Sequence, residues 1–129
     1  MNRDEFIEAF YHVLERTIDL SMKARREGLL ALEDMLDIEK ADNRDIFEYG
    51  LRFVIDGTDR EIIYDILFNI INQEKNENIR LIKKIQLEAI LSMQAGDNPR
   101  ITAYKLNSFT EIPLGDSRFQ KLLENNSLL

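Results

Sequence analysis

The sequence predicts an all-α fold: a compact helical bundle of about four to five helices, one or two of them long. Three observations predict it. Apolar residues recur three and four apart over most of the chain, which is helical spacing. Five glycines and two prolines in 129 residues are too few for a turn-rich β-sandwich. Apolar residues make up 44% and charged residues 32%, a balance that supports a core and is unlike a disordered chain. The length suits one domain over 1–129, with 125–129 as a frayed tail.

Asn2 or Asp4 opens the first helix, with Asp4 and Glu5 near its positive end. Its apolar stripe is Phe6, Ile7, Phe10, Tyr11, Val13, Leu14 and Ile18, and the pattern continues through Leu29, Leu32 and Leu36. One long helix ending near Ile38 is expected, with Gly28 costing about 1 kcal/mol relative to alanine and marking a bend or a close approach. Glu39 to Asn43 form a polar connection, and Asp42 or Asn43 caps a second helix with a broad apolar face from Ile46 to Ile55. Asp56-Gly57 is a turn. Thr58 with Glu61 reads as a capping box for the next helix.

From Asp59 to Ala95 there is no proline or glycine. Ile62, Ile63, Ile66, Leu67, Ile70 and Ile71 are helically spaced, as are Ile79, Ile82, Ile85 and Ile90 beyond the polar run NQEKNEN (Asn72 to Asn78). A single long helix with an exposed middle is favoured; a helical hairpin with its loop in the polar run is the alternative. Gly96 suits the helix end. Asn98-Pro99 starts a short helix to about Ser108. Ser117 caps a last one carrying Phe119, Leu122 and Leu123.

The formal charge of −7 argues against nucleic acid, whose binding needs basic patches, and against anionic lipid. There is no cysteine, so no disulfide framework and no thiolate chemistry. No segment approaches the roughly 18 apolar residues of a membrane span. The start Met-Asn-Arg-Asp-Glu-Phe has acid where a signal peptide carries base. A soluble, cytoplasmic protein is expected.

Chemistry is sparse. His12 is the only histidine, without HExxH spacing or cysteines for zinc, and reads as structural or surface. The acids Glu33, Asp34, Asp37, Glu39, Asp42, Asp45 and Glu48 lack calcium-loop spacing and read as solvated helix ends. Gly28, Gly50 and Gly57 form no phosphate-binding loop, and no serine sits in GxSxG. No enzyme is expected, and no cofactor or metal.

Three segments carry a resemblance. ARREGLLALED (Ala24 to Asp34), GLRFVIDGTD (Gly50 to Asp59) and AILSMQAGDNPRITAYKL (Ala89 to Leu106) resemble, in that order, cytoplasmic stretches of the MotA family, the flagellar motor stator proteins of the MotA/TolQ/ExbB proton-channel superfamily. The third resembles the family segment in which an Ile-Gln-x-Gly-x-Asn-Pro-Arg pattern occurs, with Met93 at the first position. Where the family has its third and fourth membrane helices, this chain has NQEKNENIRLIKKIQLEA. The channel-lining residues have no counterpart, and proton conduction does not carry over. The resemblance implies a form of the cytoplasmic portion without membrane helices. It also implies a partner-binding set: Arg25, Arg26, Glu33 and Arg100. In the family, an arginine and a glutamate of the first segment, at the positions of Arg25 and Glu33, contact the rotor switch protein FliG.

Read as helix chemistry alone, Arg25 and Glu33 stand about 12 Å apart along one axis and about 80° apart around it. Such separated charges suit steering and register. The bland alternative is a solvated face with local pairs such as Lys23 and Glu27, worth a few tenths of a kcal/mol. The function expected is a protein-interaction module that binds a flagellar rotor or stator subunit. The alternative is a helical structural or oligomerisation protein, dimerising through the third helix, whose surplus apolar residues are Leu81, Leu87 and Leu91.

Overall fold

A computed structural model describes residues 1–36 and 45–129. Among these residues there are six α-helices, one 3-10 helix and no strand. They are α1 (Arg3–Glu27), a 3-10 helix (Leu29–Met35), α2 (Ile46–Ile55), α3 (Arg60–Ile71), α4 (Glu77–Ala95), α5 (Pro99–Asn107) and α6 (Ser117–Asn125). The all-α class is as expected; the number of helices exceeds four to five. No helix among the described residues is long and apolar enough to cross a membrane.

The extra elements arise where two long helices were expected. α1 opens as the sequence indicates: the Asn2 side chain accepts from the Glu5 N–H at 2.8 Å, and Glu5 accepts in return from the Asn2 N–H. It does not reach Ile38. At Gly28 the backbone turns to φ +90°, ψ 162°, a conformation that costs a side-chain-bearing residue far more than glycine. The chain leaves the axis there and winds into the 3-10 helix, which buries Leu32.

The second correction is at the polar run. The favoured single helix over 59–95 would extend about 55 Å with most of its apolar rows uncovered. The chain instead turns after Ile71, and Asn76 caps α4 by accepting from the Ile79 N–H at 3.0 Å. Folding back lets Ile63, Leu67 and Ile71 of α3 reach the core with Ile82, Ile85 and Ile90 of α4. Leu87 and Leu91 are buried as well and Leu81 is half-buried, so the stripe read as a dimerisation face is largely covered within the chain.

The caps show smaller shifts. Asp45 caps α2, its carboxylate accepting from the Phe47 and Glu48 N–H groups at 3.1 Å; Asp42 and Asn43 lie outside the described residues. The Thr58–Glu61 box does not form. Asp59 occupies the cap position of α3 without a side-chain bond, one residue out of register for Thr58. Gly96 ends α4 in the left-handed conformation, Asn98 caps α5 with Pro99 behind it, and Asp116 rather than Ser117 caps α6.

The helix α4 is the centre of the bundle: α1, α2, α3 and α5 all pack on it. The tightest approach is at Gly50 of α2. A Cβ built there would lie 2.7 Å from Cγ1 of Ile90. A part-buried ion pair joins α2 to α1, with Arg16 bonded to Glu48 and its guanidinium 4.6 Å from the Phe47 ring centroid.

Candidate functional site

The fold gathers the three segments that carry the resemblance at one end of the bundle. α1 finishes there, α2 turns into α3 there, and α4 turns into α5 there. Each pair of segments is joined by a named contact. Arg25 donates to the carbonyls of Gly96 and Asp97 at 3.3 and 3.5 Å, tying the first segment to the third. Gln94 Nε2 donates to the Thr58 carbonyl at 2.7 Å, tying the third to the second. Arg52 stands 3.6 Å from Glu33, tying the second to the first. Arg52 also pairs with Asp56 at 3.5 Å.

The electrostatics at this end centre on Lys105. Its ammonium lies 2.9 Å from Glu88, 3.0 Å from Asp97 and 3.0 Å from the Ser92 hydroxyl. The Lys105 hydrogen bond holds the Asp97 carboxyl below its ordinary range, against the opposing effect of burial. Burial alone pulls Lys105 down, but Glu88 and Asp97 together outweigh it and leave its pKa raised. The cluster ties the last turn of α5 to the C-terminal half of α4 and to the turn that follows it.

The predicted residues fall around this junction, not on one helix. Arg25 and Arg26 close α1, while Glu33 sits on the 3-10 helix beyond the Gly28 turn. The axial geometry expected for Arg25 and Glu33 is therefore replaced by two elements meeting at an angle set by glycine. All four residues are exposed. Arg25 spends one nitrogen on the carbonyls just past the end of α4, where a cation also complements the negative helix end. Glu33 is loosely held by Arg52, and the Arg100 guanidinium lies 5.6 Å from the Tyr104 ring centroid. Arg26 has no bonded partner among the described residues. Arg52, Gln94 and Lys105 were not singled out from the sequence. Gln94 follows the mixed stretch Leu91-Ser92-Met93, and nothing local named Thr58 as its acceptor.

Other places offer less. His12 is exposed on α1, and no group of three His, Cys, Asp or Glu among the described residues is arranged to hold a metal. A cavity of about 200 Å³ lies between the end of α1 and the α4–α5 turn, lined by Ser21, Arg25, Leu29, Gln94 and Gly96 among others.

Comparison with known proteins finds two relatives of the same name. Over 61 residues, 47% of this chain, the sequence is 39% identical to Motility protein A of Borreliella burgdorferi. The chain is homologous to part of Motility protein A. A second match, to Motility protein A of Treponema phagedenis, is 34% identical over 90 residues and covers 67% of this chain. The chain spans only 22% and 34% of the lengths of these two relatives. No protein-family profile matches, and no solved structure gives a significant match. The likeness to Motility protein A agrees with the resemblance read from the sequence, and the helices agree with the expected fold class.

Proposed function

We propose that the chain is a protein-interaction module of the flagellar motor that acts in the cytoplasm and engages a FliG-like rotor switch protein or a stator subunit. In this reading it works by binding and not by catalysis. One observation carries the proposal: the three Motility protein A-like segments converge on one end of the bundle and are bonded pairwise there. Residues far apart in sequence thus form one charged surface on which Arg26 and Arg100 are exposed. Charges of both signs on such a surface favour steering and register over raw affinity.

Binding of the purified chain to FliG, and separately to the cytoplasmic portion of Motility protein A, tests the proposal. One of the two is expected to bind. The double variant Arg26→Glu with Arg100→Glu should weaken it at least about tenfold, about 1.4 kcal/mol. Arg3→Glu, where Arg3 pairs with exposed Glu111 away from the junction, should leave binding unchanged. Absence of binding to both proteins, or equal loss with Arg3→Glu, overturns the proposal.

A further inference from the structure

The outer side of α3 carries an apolar stripe that the described residues leave largely exposed. Its core row is Ile63, Leu67 and Ile71, all fully buried. A second row runs beside it: Ile62 is 49% exposed, Ile66 is 38% exposed, and Ile70 is half-buried. Residues four apart share one side of a helix, so these three isoleucines form one continuous ridge. Asp59 lies three residues before Ile62 on the same side, and Asp65 borders the ridge on its outermost edge. Both carboxylates are exposed, and neither has an ion-pair partner among the described residues. Exposed apolar residues elsewhere, such as Leu30, Ile101 and Leu114, sit singly on other elements and ask for no explanation.

We propose that this ridge is a docking surface for a basic amphipathic helix of another protein. The apolar face of that helix would lie on Ile62, Ile66 and Ile70, and its Lys or Arg residues on Asp59 and Asp65. Charge selects this occupant. Apolar contact supplies the attraction, and two unpaired acids beside the ridge favour cations and repel anions. A second copy fits worse. In an antiparallel pairing about Ile66, the two-fold axis places both Asp65 carboxylates on one side, separated by only about 3 Å along the helix direction. The inference does not depend on the motor reading, since it uses α3 alone.

The probe is a fluorescein-labelled peptide of leucine and lysine, about 14 residues or four turns long, with leucines at helical spacing. Fluorescence anisotropy is read at physiological salt against a leucine–glutamate counterpart. The lysine peptide is expected to bind and the glutamate peptide not to. Ile62→Asp with Ile66→Asp should weaken binding at least tenfold, with the far-ultraviolet circular dichroism unchanged because both positions are solvent-facing. Asp59→Lys with Asp65→Lys should reverse the peptide preference; Asp59 makes no side-chain cap bond, so its loss leaves α3 intact. Glu124→Lys on α6 should change nothing. The proposal is overturned by absence of binding, or by equal affinity in the isoleucine variants, which would mean diffuse charge attraction. It is also overturned by a dimer in sedimentation that Ile66→Asp dissolves, which would mean a second copy.

Discussion

A single methyl group added at Gly50 tests how closely α2 lies against α4. Its Cβ would meet three atoms of Ile90 at once: Cγ1 at 2.7 Å, Cδ1 at 3.0 Å and Cγ2 at 3.2 Å. Ile90 is fully buried, and a β-branched side chain in a helix has little rotamer freedom. Two effects then oppose each other. Alanine in a helix interior is better than glycine by about 1 kcal/mol. Overpacking a core contact costs about 1–3 kcal/mol. With all three contacts inside van der Waals range and no free direction for Ile90, overpacking wins, and Gly50→Ala should destabilise by about 1 kcal/mol net. Gly50→Val should cost clearly more.

Urea denaturation followed by circular dichroism measures this from the shift in midpoint. Coupling gives the sharper readout. Ile90→Ala alone should cost about 2–5 kcal/mol as a cavity, and in the double variant the one new methyl group at position 50 partly fills the space left. The double variant should thus be more stable than the sum of the single changes by about 1 kcal/mol or more. If Gly50→Ala proves as stable as the parent, or the two changes add without coupling, the close approach is not what glycine serves at this position.

Three further outcomes are expected. Asp97 has a lowered folded-state pKa, so its contribution is present above its ordinary value of 3.8 and is lost as pH falls through the folded value. Lys105→Met should cost about 1 kcal/mol near neutrality, the pair being partly solvated, and should flatten this acid limb of the urea midpoint. Tyr11 is pushed up to about 12, first by burial and then by Asp116. Its contribution is complete below pH 10 and disappears between 10 and 12, so Tyr11→Phe should remove that alkaline loss. It should change little near neutrality, because the bond to Asp116 is long at 3.4 Å. Leu32→Ala should destabilise by about 2–5 kcal/mol, since Leu32 is the buried anchor of the 3-10 helix.

Most of the helices and three of their ends were legible because they are local. Periodicity marked α1 and α2, the Asn98-Pro99 start signal marked α5, and Asn2, Gly96 and Asn98 declared helix ends through chemistry confined to one turn. The turn after Ile71 was not legible by the same means. A polar run that contains good helix formers satisfies either a long helix or a hairpin, and only the burial of Ile63 and Leu67 against α4 decides. Gly28 announced itself, but whether it bends or ends a helix depends on where Leu32 finds its core. The charged residues Arg25, Arg26, Glu33 and Arg100 were legible as a set through resemblance, and their grouping was not. It rests on Gln94 meeting Thr58 and on Arg52 meeting Glu33, contacts between distant segments that no window of sequence contains.

The position of α4 has a consequence for the protein's motions. Because α1, α2, α3 and α5 all lie against it, no single neighbour can lift away and expose its middle turns to solvent. Backbone amides from Ile85 to Leu91 should exchange with deuterium only through global opening, while those of α3 exchange through smaller excursions. The innermost helix then serves as a spindle, keeping one form while the outer elements breathe around it.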